Sequence, residues 1–144
     1  MGSDAPRLVI VGSRGWENRD VFDRLDRKPK GVTELNGLSN RAVAALISGA
    51  AGLLFPSYAE GFGLPLAEAA ALGTPVICSE LPVFEEILGN IPVYASIDDM
   101  YLWKQSIRRL AEQKRAGQAA ISGKNPEIKI PTWDDHFNLV LKVT

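Results

Sequence analysis

Glu60 and Glu68 stand eight positions apart within the run Phe55-Pro56-Ser57-Tyr58-Ala59-Glu60-Gly61-Phe62-Gly63-Leu64-Pro65-Leu66-Ala67-Glu68-Ala69. A carboxylate accepts two hydrogen bonds at fixed spacing, which suits the vicinal hydroxyls of a ribose or a sugar. Gly61 and Gly63 let the backbone turn tightly and keep side chains away from a ligand. Pro65 fits the first turn of a helix running from Leu64 to Leu72, with Glu68 just over one turn in. The start of that helix would aim unpaired N–H groups and the positive end of its dipole at the loop, which favours a phosphate. The combination describes a diphosphate site with a hydroxylated group on either side. Each part has a plainer reading: glycine pairs before helices are common, and a first-turn acid gains about 0.3–1 kcal/mol from the helix dipole alone. Their joint occurrence, in this order and after a buried strand, is what points to a site.

Other reactive side chains are less informative. Cys78 closes a buried strand with no partner nearby in sequence and reads as a small core residue. One cysteine excludes an intrachain disulfide framework and a multi-thiolate metal site. The sole histidine, His136, falls in a tail helix and reads as structural or solvated. Trp16, Trp103 and Trp133 read as packing residues. Lys104, Arg108, Arg109, Lys114 and Arg115 form a basic cluster whose default reading is a solvated helix face, the alternative being weak attraction to anionic lipid at the inner face of a cell membrane.

The elements that must position the glutamates are short. Leu8 to Val11, Val32 to Leu35, Gly52 to Phe55, Pro75 to Cys78 and Pro92 to Tyr94 are near-continuous apolar runs, expected as strands covered on both faces in a parallel sheet. Ser39 can cap a helix over Asn40 to Ile47, and Gly73 can stop the helix from Leu64. Pro82 begins another helix ending near Gly89-Asn90, and a longer one runs from Asp98-Asp99 through Trp103, Ile107 and Leu110. Alternating strands and helices imply a doubly wound, Rossmann-like α/β sheet, in which ligands sit at the carboxyl ends of the strands. The expected organisation is a leader over 1–6, a Rossmann-like domain carrying the diphosphate site over 7–112, a loop or linker over 113–131 and a C-terminal helix over 132–144.

The 144 residues suffice for one domain with a hydrophobic core. A net charge of -1 offers no electrostatic reason for a nucleic-acid partner. No apolar run approaches the roughly 20 residues needed to span a bilayer, and the cysteine usage fits a reducing, cytoplasmic compartment.

Glu60-Gly61-Phe62-Gly63-Leu64-Pro65, closing on Glu68-Ala69, closely resembles the signature of the retaining GT-B glycosyltransferases of family 4. Gly31 to Ile47, Gly73 to Ile77, Leu81 to Glu86 with Gly89, Asp98 to Leu110 and Thr132-Trp133 resemble the flanking elements of the same family. The resemblance implies the C-terminal half of a GT-B fold that binds a nucleotide-diphosphate sugar. Transfer would retain configuration, need no metal and use the leaving phosphate to help deprotonate a polysaccharide or lipid-linked acceptor. It implies that Glu60 faces the donor sugar as the catalytic candidate and that Glu68 binds the ribose. The Gly61-Phe62-Gly63-Leu64 backbone would approach the diphosphate, and Asn36-Gly37-Leu38 would lie near the base. Val11-Gly12-Ser13-Arg14-Gly15-Trp16 is similar to a segment of bacterial polysaccharide-building members, which implies a mannosyltransferase using GDP-mannose, with UDP- or dTDP-sugars as alternatives.

The family's first strand and its Arg/Lys pair for the leaving diphosphate have no counterpart before Leu8, and Arg14 follows a later strand. Nor is there a counterpart of the N-terminal acceptor domain. The expectation is therefore a fragment lacking its first βα unit, nearly inactive alone, with an association-prone edge strand. Two rival readings are a non-catalytic nucleotide-binding or interaction module and a dinucleotide-binding oxidoreductase domain. Neither Gly12-Ser13-Arg14-Gly15 nor Gly61-Phe62-Gly63 completes a Gly-x-Gly-x-x-Gly fingerprint, which counts against the oxidoreductase.

Overall fold

Parallel strands cannot be joined by a tight turn, so every strand-to-strand connection here carries a helix. The computed structural model describes residues 5–15 and 18–117. Trp16, the linker from 118 onward and the tail helix with Trp133 and His136 lie outside the described residues. Contacts divide the chain into two units, Met1–Gly49 and Ala50–Thr144.

The first unit runs β1 (Leu8–Val11), α1 (Arg19–Asp26), β2 (Val32–Leu35) and α2 (Asn40–Gly49). β1 and β2 pair in parallel, from Leu8 opposite Val32 to Val11 opposite Leu35. The Leu8 N–H donates to the Gly31 carbonyl and the Gly12 N–H to the Leu35 carbonyl, which extends the ladder at both ends. The Ser39 hydroxyl caps α2 by accepting from the Ala42 N–H at 3.3 Å. α1 was not evident in the sequence. It has no buried residue, and Val21, Phe22 and Leu25 are its apolar side chains. Their three- and four-residue spacing was the available signal, and the need for a crossover between parallel strands was the stronger one.

The second unit runs β3 (Leu53–Phe55), α3 (Leu64–Ala71), β4 (Val76–Cys78), α4 (Pro82–Leu88), β5 (Val93–Tyr94) and α5 (Met100–Arg115). Its sheet is parallel with order β3-β4-β5, placing Phe55 opposite Cys78 and Cys78 opposite Tyr94. Leu66, Ala67, Ala69 and Ala70 turn one side of α3 inward, and Phe84 and Leu88 do so on α4. Ile77, Ala95 and Trp103 form a buried cluster against which Leu54, Leu102, Ile107 and Leu110 pack. The Trp103 indole N–H is satisfied by the Ser96 carbonyl at 2.9 Å, and Asp99 caps α5 by accepting from the Leu102 N–H at 2.9 Å. α5 continues to Arg115, into the stretch whose glycines and proline suggested a loop from residue 113.

Alternating strands and helices with parallel pairing make this a Rossmann-like α/β fold. The expectation of strands covered on both faces holds for β4, whose three residues are all buried. It does not hold for β1, where Leu8, Val9 and Val11 are each at least 40% exposed. The difference lies in what covers the faces: Ile77 of β4 packs against Trp103 of α5, whereas α1 buries no residue.

Candidate functional site

The run containing both glutamates leaves the carboxyl end of β3 and enters α3, where an α/β sheet places its ligands. Tyr58, Ala59, Glu60 and Gly61 are exposed, Phe62 is half-buried and Gly63 is buried. The Glu60 carboxylate turns back on its own loop and accepts from the Gly61 N–H at 3.3 Å. Glu68 sits on the outer side of α3, one turn beyond Leu64, and both are exposed while Leu66, Ala67, Ala69 and Ala70 face the core.

The helix start offers fewer donors than a generic N-terminus. Pro65 has no N–H, and the Leu66 and Ala67 N–H groups both donate to the Gly63 carbonyl, at 3.0 and 3.4 Å. The Leu64 N–H is left as the first-turn donor not committed to that carbonyl. An anion here would be held by Leu64 and by the loop amides rather than by a full helix turn.

The two glycines have different causes. Gly63, which precedes the helix, has φ 78° and ψ 44°, a left-handed conformation that costs other residues roughly 1–2 kcal/mol. A Cβ there would lie 2.7 Å from Cε1 of Phe84 and 3.3 Å from Cδ1 of Leu66. The fold alone requires glycine at this position. At Gly61 the φ is not left-handed, and a Cβ would meet nothing within 4 Å. Neither backbone nor packing requires glycine there.

Residues outside the motif position this loop, and the sequence reading did not single them out. Ser79, 3% exposed at the end of β4, donates its hydroxyl to the Ser57 carbonyl at 2.6 Å, with the Phe55 carbonyl 3.3 Å away. Phe84, 1% exposed, lies under Gly63 and meets Phe55 edge to face at 5.8 Å. Parallel pairing of β3 with β4, which sets Ser79 one residue past the Phe55–Cys78 pair, was the signal available for Ser79.

Asn36, Gly37 and Leu38 follow the carboxyl end of β2 in the first unit, apart in the chain from the second unit's glutamates. Asn36 is exposed, Leu38 is half-buried, and Gly37 has φ 66°. Upstream of them, Arg14 grips Glu34 through two hydrogen bonds of 2.9 and 2.8 Å, pairs with Asp26 at 2.8 Å and lies 5.2 Å from the centre of the Phe22 ring. Hydrogen bonds from Arg14 hold the Asp26 and Glu34 carboxyls below their ordinary ranges, and the same bonds push the guanidinium further up. Arg14 is thus engaged by two carboxylates within its own unit.

Burial pushes the Cys78 thiol up to about 11, so it stays protonated near neutrality and is not an activated nucleophile. Among the described residues, no three His, Cys, Asp or Glu side chains are grouped to hold a metal ion, and no helix is long and apolar enough to cross a membrane.

Comparison with known proteins gives this geometry a family. The chain is 38% identical over 113 residues to the O-antigen chain mannosyltransferase RfbU of Salmonella typhimurium, an overlap covering 76% of this chain and 32% of that protein. It is 41% identical over 83 residues to the serotype-specific mannosyltransferase WbdA of Escherichia coli, covering 56% of this chain and 10% of the relative. With the O-antigen chain mannosyltransferase B of Escherichia coli it shares 30% identity over 95 residues, 65% of this chain and 25% of the relative. The chain therefore spans a third or less of the length of these relatives. The model of the glycosyl transferases group 1 family matches residues 3–119, and the chain belongs to that family.

Proposed function

We propose that residues 7–112 form the donor-binding domain of a glycosyltransferase that transfers mannose from GDP-mannose to a polysaccharide or lipid-linked acceptor with retention of configuration. The observation that carries this reading is Gly61. It is a glycine that neither packing nor backbone requires, set between Glu60 and the α3 start at the carboxyl end of a β-strand. Membership of the group 1 glycosyltransferases and the likeness to mannosyltransferases support the reaction class and the sugar.

In this reading the Leu64 N–H and the amides of Gly61, Phe62 and Gly63 hold the diphosphate, assisted by the dipole of α3. Glu68 accepts from the ribose hydroxyls. Glu60 acts beside the donor sugar, where a carboxylate can orient hydroxyls and stabilise the positive charge that develops as the glycosidic bond breaks. Binding the donor frees the Glu60 carboxylate from the Gly61 amide and returns that N–H to the phosphate. The leaving phosphate, with no metal required, helps to take the proton from the acceptor hydroxyl. The acceptor is held mainly by a further domain, and the enzyme works in the cytoplasm, at the inner face of the membrane where its acceptor is lipid-linked.

Calorimetric titration of the chain with UDP, GDP and dTDP, repeated for Glu68→Ala, tests the site. Saturable binding of GDP in preference to the others, weakened about tenfold or more in the variant, is the expected result. Equal affinity of Glu68→Ala and wild type would remove Glu68 from the site, and preference for UDP or dTDP would overturn the choice of base.

A further inference from the structure

We propose that Ser79, outside the glutamate–glycine motif, is the positioning residue that sets the shape of the candidate donor loop. The inference rests on the donor-site reading for its functional half and on the hydrogen bonds alone for its structural half. Residues 58–61 are exposed, so burial does not determine their path. The loop is instead anchored at its two ends. At the far end Gly63 sits against the Phe84 ring. At the near end the chain leaves β3 at Phe55, and the first carbonyl beyond Pro56, that of Ser57, accepts from the Ser79 hydroxyl at 2.6 Å. The Ser79 N–H also donates to the Phe55 carbonyl at 3.3 Å, so one residue continues the β3–β4 ladder with its backbone and captures the departing loop with its side chain.

The chemistry requires a hydroxyl of this length. Ser79 is 3% exposed, so water does not readily replace its bond to Ser57. Ser57 is half-buried, and its carbonyl, having lost its donor, is drawn outward to find another. Such a movement at Ser57 is passed along the exposed residues to Glu60 and Gly61, three and four positions on. Ser79 touches no ligand in this scheme. It acts through the loop.

The test compares wild type, Ser79→Ala and Ser79→Thr by hydrogen–deuterium exchange of the ligand-free chain and by calorimetric titration with GDP. Ser79→Ala should speed amide exchange across residues 58–63 while β4 keeps its protection, and weaken GDP about fivefold. Ser79→Thr, which keeps the hydroxyl, should restore both. Unchanged exchange across 58–63 in Ser79→Ala overturns the latch whether or not any nucleotide binds. Faster exchange with undiminished GDP affinity overturns its positioning role. Failure of the wild type to bind GDP, with the exchange difference intact, counts instead against the donor-site reading and leaves the latch standing.

Discussion

The two units solve the same folding problem by different means. In the second unit β4 is wholly buried between β3 and β5, and α3, α4 and α5 each bury side chains against the core. In the first unit α1 buries nothing and β1 exposes three of its four side chains. There Arg14 joins Glu34, Asp26 and the Phe22 face at the surface, and Ile47 of α2 is buried. The lesson concerns what each unit can hold still. Buried apolar contacts cannot be replaced by water, whereas exposed ion pairs compete with it at every moment and are screened by salt. The loop bearing Glu60 and Gly61 is anchored to the first kind of structure, and the segment Asn36-Gly37-Leu38 follows the second kind.

The comparison breaks most sharply at Gly63. Gly63→Ala combines a left-handed backbone with a methyl driven into Phe84, and should lower stability by about 3 kcal/mol, read as a shift in the urea midpoint. Gly61→Ala has neither defect and should stay within about 0.5 kcal/mol of wild type, yet weaken nucleotide binding. A destabilised Gly61→Ala would end the argument that this glycine is kept for a ligand.

Cys78 sharpens the contrast from within the β4 core. Burial favours its neutral thiol, so the stability this gives is present below the ordinary value of 9.0 and is lost as pH rises toward about 11. Alkylation at pH 8 should be at least about a hundredfold slower in the native chain than in urea, because both thiolate and access are scarce. Rapid native labelling would show that the second unit opens far more readily than its burial suggests.

The smallest effect belongs to the Arg14 network. Asp26 and Glu34 have lowered folded pKa values, so their contribution is present above the ordinary carboxylate values of 3.8 and 4.5 and is lost as pH falls through the lowered ones. The raised Arg14 pKa adds no transition in the accessible range. Arg14→Gln should therefore cost little at neutral pH, and the cost should shrink with added salt and with acidification below about pH 4. Amide exchange in β1 and β2 measures this locally. A large loss that ignored salt would mean the first unit is held by packing after all.

How much was legible follows from the same physics. The strands were readable because runs such as Val76-Ile77-Cys78 are too apolar to be left in water, and helix starts because Ser39, Pro65 and Pro82 have few other good places to be. α1 was missed because three apolar residues among charges carry little periodic signal. The boundary of α5 was placed early because composition cannot show how far a helix persists once its buried face has ended.

The order Glu60, Gly61, Gly63, Glu68, running from the end of a strand into a helix, carried the family resemblance and the expected site in the sequence itself. Sequence could not say which glycine the fold requires and which it does not. That distinction depends on Phe84, twenty-one residues beyond Gly63, and on the loop's tie to Ser79, twenty-two beyond Ser57. Contacts of that reach exist only once parallel pairing has brought β4 alongside β3, and so tertiary structure alone decides them.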